Sequence, residues 1–428
     1  MKKNFTNNLT ISEKGQAIII IVFSIIGLFG AAALAIDGGR AYIERGRVQS
    51  AADAAALSGA LARVEQKDWR EEALASALAN GFDNNGDTNS IELNTPPTSG
   101  SNTNNPDFIE VIVTSRISTF FGGIIGIPQI TVSSRAVSQT RPATFGQMFD
   151  GYAIVSLAPT SKCNDEKKRS FWIQGEATLS ITGGGIFINS DNPDCALIEQ
   201  GSGSIRIIDN SSISIVGGAT IQKPQLFTPY PPKTGAAPVL YPPPFQMPRV
   251  GCGNKVAEIS GGQIGPNGET INASLSPGSW GEDFPPEGVT HLEPGMYCIS
   301  GDVLVEEGSL IGSNVVLVIE HGSARFGGGA EIQLSAPKNG SFAGLLIYMP
   351  LENKNQLALN GNENSSYKGT ILAPGANIHL NGLNSKAGFH SQIIGYYINV
   401  NGQDNIQINY RDDQNFDAFK MPEVLLSD

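Results

Sequence analysis

An uncharged run of twenty residues, Ala17 to Ile36, leads without a break into Asp37-Gly38-Gly39-Arg40-Ala41-Tyr42 and an alanine-rich segment. At about 1.5 Å rise per residue the run spans roughly 30 Å, the hydrocarbon thickness of a bilayer. The expectation is a transmembrane helix at 17–36, a cytoplasmic leader at 1–16 and a stalk beyond. A cleavable secretion signal is the competing reading, because Lys2, Lys3 and Lys14 form a basic leader and Ala33-Leu34-Ala35 has the small-x-small form of cleavage sites. The run is longer than the roughly 7–15 apolar residues of such signals, which favours a retained anchor. Three Lys/Arg flank each side, so charge does not orient the span. The secreted character of the residues beyond Asp37 does: it places the N-terminus in the cytoplasm and the bulk of the chain outside, in a single-pass arrangement. Gly27, Ala31 and Ala35 recur every four residues on one helix face, a spacing that lets another helix approach closely.

Fifty Gly, twenty-five Pro and 16% charged residues fit a turn-rich, strand-rich domain better than a helical one. The formal charge is −12, and residues 1–47 hold more Lys/Arg than Asp/Glu, so the remainder is more acidic still. Nucleic acid is disfavoured as a partner, since phosphate neutralisation needs clustered cations. Cys163, Cys195, Cys252 and Cys298 all lie beyond the anchor without C-x-x-C spacing. Two disulfides suit an exported domain, although four cysteines allow three pairings. Nearest-in-sequence pairing would staple the start and the middle of the β-rich part.

From Tyr42 to Ala62 good helix formers dominate, with alanine losing almost no side-chain entropy. A second helix is expected from Trp69 to Ala79, with Glu71 and Glu72 in its first turn and Asn80-Gly81 as its stop. Ile109, Val111 and Val113 alternate with Glu110, Ile112 and Thr114, polar except for Ile112, and Ile130, Val132 and Ser134 alternate less perfectly, as half-buried strands should. Together these elements imply a small α/β domain at 37–140.

These residues carry a resemblance. Gly15-Gln16-Ala17, the apolar run, Asp37-Gly38-Gly39-Arg40-Ala41-Tyr42 and Gln49-Ser50-Ala51-Ala52-Asp53-Ala54-Ala55-Ala56-Leu57 resemble the N-terminal segment of TadG-like proteins of Flp (tight-adherence) pilus-assembly systems. The motif positions are Gly15, Gln16, Asp37, Gly38, Arg40, Tyr42, Ala52, Asp53 and Ala55. Phe108 to Ser115, Ile117 to Gly126 and Gln129 to Gln139 resemble the strand, short helix, strand ending of TadE/TadG-like domains. The resemblance implies a non-catalytic envelope protein of pilus assembly or cell adhesion, with membrane and other assembly or envelope proteins as partners. It stops short of a polymerising pilin. Type IV prepilins, which the family's relatives resemble, carry a Glu five residues past the processing Gly; here that residue is Ile20, and no acidic residue lies from Gln16 to Ile36.

Beyond Asp150 short apolar strands alternate with Gly pairs and Asn-Gly turns. Asn360-Gly361, Asn381-Gly382 and Asn401-Gly402 recur at nearly equal intervals beside Leu357-Ala358-Leu359, Ile378-His379-Leu380 and Ile398-Asn399-Val400. One coil of a parallel β-helix takes about twenty residues, and stacked coils bury a core that none could bury alone. Leu275-Ser276-Pro277-Gly278, Leu292-Glu293-Pro294-Gly295 and Leu372-Ala373-Pro374-Gly375 form a second repeated phrase. The expected fold for 150–410 is mainly β, a right-handed parallel β-helix (solenoid), with an antiparallel β-sandwich as the second choice. The stretch from Leu292 to Gly402 also resembles the C-terminal β-helical extensions of some TadG-like proteins. Nine prolines between Gln222 and Arg249 mark a stiff, extended connection packed along the solenoid, or alternatively a recognition strand or hinge. Residues 411–428 read as a C-terminal tail.

The alternative function is a carbohydrate-active β-helix enzyme, a polysaccharide lyase or hydrolase. That chemistry needs converging carboxylates or a base beside a cation. The repeat instead carries Asn362, Glu363, Asn364, Asn384 and Asp404, mostly amides, and His291, His321, His379 and His390 are scattered. No H-E-x-x-H, G-x-S-x-G or nucleotide-binding loop appears. Asp83-Asn84-Asn85-Gly86-Asp87-Thr88-Asn89 has alternating oxygen ligands but misplaced glycine and twelfth-position Glu for a calcium loop, and reads as an ordinary polar loop. No catalytic residue, metal or cofactor is expected; a surface glycan remains a candidate partner.

Overall fold

The computed structural model describes residues 14–427 apart from 142–143, 150, 210, 267, 361–362, 383–387, 404 and 421–422, with 14–17 and 423 described as backbone only. Leader residues 1–13, the side chains of Gln16 and Ala17, and Gly361, Asn362, Asn384 and Asp404 of the repeat lie outside the described residues. The chain forms two compact units, one of Met1–Thr144 with Met421–Asp428, the other of Phe145–Lys420.

In the first unit, helix α1 (Lys14–Ala32) passes through a π-helical turn at Ala33–Asp37 into α2 (Gly38–Val64). The continuous helix is about 75 Å long at the standard rise. Val48, Ala51, Ala52, Ala55, Ala56 and Gly59 make a buried stripe on α2 at helical spacing. It packs on a four-stranded antiparallel sheet and on α3 (Trp69–Ala79), whose N-terminus Asp68 caps by accepting from the amides of Arg70 and Glu71. The small side chains allow close approach. A Cβ on Gly59 would stand 3.1 Å from the Trp69 carbonyl oxygen. The sheet runs β1 (Asn89–Asn94), β2 (Phe108–Ser118), β3 (Gln129–Arg141) and then Glu423–Ser427. The segment expected as a tail is thus partly structural: Ser427 pairs with Val137 and Val424 with Thr140.

Glu110 on β2 is fully buried in this unit. Its carboxylate accepts from the Thr98 hydroxyl (2.7 Å), the Thr98 amide (3.1 Å) and Asn94 (2.9 Å), and pairs with Arg135 of β3. Burial pushes its pKa up, but the Thr98, Arg135 and Asn94 donors outweigh burial and hold it at about 2.

The second unit is mainly β, with long parallel ladders and, among the described residues, no closed barrel. One sheet of eleven strands begins with Phe227–Thr228, Ser204–Ile207 and Thr178–Thr182, jumps to Asn405–Asn409, and then runs backwards through the sequence to Ile259–Ile264. The layers of 152–228 therefore stack on the last layer of the chain. An antiparallel sandwich does not describe this pairing; Ile259–Ile264 with Thr270–Leu275 is an antiparallel edge hairpin on otherwise parallel ladders of this sheet. Leu357, Ile378 and Ile398 pair in register on neighbouring strands, as do Leu359, Leu380 and Val400. The Leu-x-Pro-Gly phrases are not all equivalent. Leu275 and Leu292 pair and point into the core, while Leu372 belongs to a different cluster on the opposite face of its sheet.

Two rows explain the composition of the central strands. Ile213, Ile186, Ile154, Ile393, Ile371 and Ile347 align across six parallel strands and fill the interior. The residues next to them, including Phe187, Val155, Ile394, Leu372 and Tyr348, face outward yet are also buried. Both faces are covered, so Val315–Ile319 and Leu345–Tyr348 are buried throughout, whereas Ser309–Ser313 alternates.

The outward row is covered by the proline-rich connection. Residues 229–258 join Phe227–Thr228 at one end of the eleven-stranded sheet to Ile259–Ile264 at the other. Ten steps of about 4.8 Å make some 48 Å, within reach of this extended segment. Asn189 fastens it by accepting from the Val239 amide (2.7 Å) and donating to the Val239 carbonyl (2.8 Å). Tyr241 meets Tyr396, and Phe245 meets Phe149, with ring centroids 5.0 and 5.5 Å apart. A disulfide from Cys252 to Cys298 ties down its far end, and a second joins Cys163 to Cys195.

Candidate functional site

The sequence motif at the end of the apolar run forms a clasp within the first unit. Asp37 is 3% exposed, and its two carboxylate oxygens accept from the backbone amides of Phe120 (2.8 Å), Phe121 (3.0 Å) and Gly122 (2.7 Å). Three donors on two oxygens suit an acceptor-only carboxylate. One helical turn on, Arg40 donates to the Ser118 carbonyl (2.9 Å) and lays its guanidinium over the Phe120 ring at 4.4 Å. The clasped segment is the β2–β3 connection, folded as a short helix at Gly122–Ile125 and closed by Ile127, whose amide donates to the Gly122 carbonyl.

The remaining motif positions divide by role. Ala52 and Ala55 are buried against the sheet, and Asp53 accepts from Gln49 at 2.7 Å on the half-exposed side of α2. Tyr42 is 81% exposed and takes no part in the clasp. Gly38 has open space where a side chain would be. Gly15 and Gln16 begin the described helix, without described side chains. Gly27, Ala31 and Ala35 are exposed, and no described residue comes within 4 Å of where a side chain on Gly27 would begin.

The family model of putative Flp pilus-assembly TadE/G-like proteins (Tad) matches residues 15–63. The N-terminal segment of the chain is TadE/G-like. That segment takes in the apolar helix, the π-helical turn and nearly all of α2, and so holds Asp37 and Arg40 but not the loop they clasp. The helix from Ile18 to Val64 contains a stretch long and apolar enough to cross a membrane. No curated protein matches the chain. A solved structure, the competence-associated pilin ComZ from Thermus thermophilus, aligns at 10% identity over 79% of this chain and 84% of that one, with a TM-score of 0.22. A superposition at that level carries no argument about this fold.

On the second unit, a groove of about 480 Å³ crosses neighbouring strands. His379, Asn399 and Trp172 lie side by side in register, with Asn377 paired to Tyr397 and Asn381 to Asn401 in flanking rows. Arg169 covers Trp172 at 4.1 Å. The indole Nε1 of Trp172 and Oδ1 of Asn399 are buried without a hydrogen-bond partner among the described residues. Burial pushes the His379 pKa down, so its imidazole is neutral at pH 7. Glu166 is the one carboxylate among the described lining residues. Elsewhere carboxylates gather in open depressions: Asp412, Asp413 and Asp417 in one, where Tyr410 donates to Asp412 and Arg411 pairs with Asp413, and Glu282, Asp283 and Glu287 in another.

Among the described residues, no group of three or more His, Cys, Asp or Glu is placed to hold a metal ion. The Asp83 loop turns its oxygens on itself: Asp83 accepts from Asn89 (2.8 Å), and Asn85 from the amides of Asp87 and Thr88. Sequence reasoning found Asp37 and Arg40 as motif residues but not their partners, and it missed the groove. The repeat did touch that groove: Asn401 of the last Asn-Gly pair lines it, as do His379 and Asn399 of the apolar phrases beside the pairs.

Proposed function

We propose that this is a single-pass, membrane-anchored envelope protein of tight-adherence (Flp) pilus assembly or surface attachment, without catalytic activity. The observation that carries it is the TadE/G-like segment at 15–63, which coincides with the apolar helix and ends in a helix packed on its own sheet. In this reading the N-terminus lies in the cytoplasm of the cell and the helix crosses the cytoplasmic membrane. Gly27, Ala31 and Ala35 form the packing face for a partner helix. The second unit is a right-handed parallel β-helix outside the membrane, and its groove of amides and aromatic rings contacts a neutral polar partner such as a surface glycan. A groove whose described lining holds a single carboxylate supports binding over glycoside hydrolysis, which uses two.

Deleting the gene and measuring piliation and surface attachment side by side tests the reading. Loss of either, restored by the full chain, is the expected result; wild-type piliation and attachment in the deletion strain overturn it. Intact mass of the membrane fraction should show residues before Ala35 still present, and a mature chain starting at Ile36 removes the anchor.

A further inference from the structure

The β2–β3 connection reads Phe120-Phe121-Gly122-Gly123-Ile124-Ile125-Gly126-Ile127, without one charged side chain. Four of its large apolar residues face outward: Phe120 is 68% exposed, Ile124 61%, Ile127 51% and Ile125 46%. A contiguous apolar surface of this kind marks an interaction site.

Two contacts fix where that surface stands relative to the apolar helix. Asp37 holds the amides of Phe120, Phe121 and Gly122 at the end of the uncharged run. Phe121 also packs on Phe29, with ring centroids 6.2 Å apart. Phe29 precedes Asp37 by two turns and more, about 12 Å along the helix axis. The loop is therefore folded back alongside the last turns of the apolar run. Wherever a bilayer surrounds those turns, it also meets the loop.

We infer that this loop inserts into the leaflet on the Asp37 side of the membrane, as a second lipid contact beside the transmembrane helix. Phe120, Ile124, Ile125 and Ile127 occupy the boundary between headgroups and acyl chains, where amphipathic elements bury their apolar faces. Arg40, stacked on Phe120, stands at headgroup level, where a guanidinium meets lipid phosphate. The occupant is lipid because Phe121 packs the loop against Phe29 of the apolar helix, so a bilayer around that helix meets the loop's exposed apolar side chains. This inference rests on the anchor reading above.

The test uses the full chain in phosphatidylethanolamine–phosphatidylglycerol nanodiscs, with an environment-sensitive fluorophore on Ile124→Cys and the native cysteines left in their disulfides. Lipids carrying a nitroxide near the headgroup should remove about half of its emission, and lipids with a deep nitroxide less. A label on Leu61→Cys, about 36 Å along the helix from Asp37, should be unaffected. A label on Leu28→Cys reports the anchor independently. Quenching at Leu28 without quenching at Ile124 overturns the loop insertion and leaves a protein partner as the cover of this surface. Quenching at Ile124 alone supports the lipid contact and overturns the spanning helix. Absence of quenching at both overturns both. Phe120→Cys supplies a second position if the Ile124 variant fails to fold.

Discussion

Ile398 pairs in parallel register with Phe171, so the last long strand of the second unit lies directly on the first layer. The same strand makes the junction again where Ile393 meets Ile154, and the eleven-stranded sheet repeats it where Ile406 meets Leu179. Both ends of this unit's chain are thus in the interior of the stack, and its middle, residues 227–264, supplies the two ends. Such pairing is of high sequence separation, and the layers of 152–228 cannot bury one face until the C-terminal layers arrive.

Gly183 tests that junction. Its φ is +86°, and a Cβ would stand 2.1 Å from the carbonyl oxygen of Tyr410 in the last layer. Gly183→Ala should destabilise the second unit by about 3 kcal/mol, combining backbone strain with a clash against main chain. Gly235→Ala, at φ +76° but with open space around it, should cost only about 1 kcal/mol. Urea midpoints of the two variants should differ accordingly; equal midpoints would remove the role given to the junction.

Local periodicity made part of this fold legible. The apolar run, the alanine stripe at Val48, Ala51, Ala52 and Ala55, and the strands around Val111 and Val132 announce themselves within a dozen residues. Leu357, Ile378 and Ile398 could be aligned because adjacent layers are adjacent in sequence. Phe171 against Ile398 left no such trace, nor did Glu423–Ser427 against β3, because a pairing across hundreds of residues imposes no spacing. The clasp was hidden for the same reason: Asp37 stood out by its neighbours, but its acceptor role depends on backbone amides at 120–122, which carry no side-chain signature.

The Cys252–Cys298 bridge fastens the proline-rich connection across the outward row of the parallel strands. It closes a loop of 46 residues. Chain entropy assigns such a loop about 4 kcal/mol. Cys252→Ser with Cys298→Ser should lower the unfolding midpoint and raise hydrogen exchange at Val239 and along the outward row. A midpoint within error of wild type would show that Asn189 and the aromatic contacts hold the connection without the bridge.

Glu110 makes the first unit acid-sensitive. Its folded pKa, about 2, lies below the ordinary 4.5, so its contribution is fully present above the unfolded value and is lost as pH falls from about 4.5 through 2. The gap corresponds to roughly 3 kcal/mol. Glu110→Gln leaves Arg135 without its carboxylate and should cost a similar amount at pH 7. The variant's stability should then be flatter between pH 5 and 3 than that of the wild type, followed by circular dichroism with urea; an unchanged acid slope would exclude Glu110 as its source.

Asp37→Ala addresses the clasp directly. The variant leaves three amides, one of them in a fully buried hydrogen bond, without their acceptor. A buried unsatisfied donor costs about 1–3 kcal/mol, so opening the loop is cheaper than keeping three such groups in place. Hydrogen exchange at Phe120, Phe121 and Gly122 should speed up at least about tenfold, the equivalent of 1.4 kcal/mol, while β2 above Ser115 keeps its protection. Asp37→Asn should fall between, because one carbonyl oxygen remains to accept while its NH₂ faces donors. Exchange in Asp37→Ala equal to wild type would mean that Arg40 and the Phe29–Phe121 contact suffice to hold the loop, and that the carboxylate is not what fastens it to the helix.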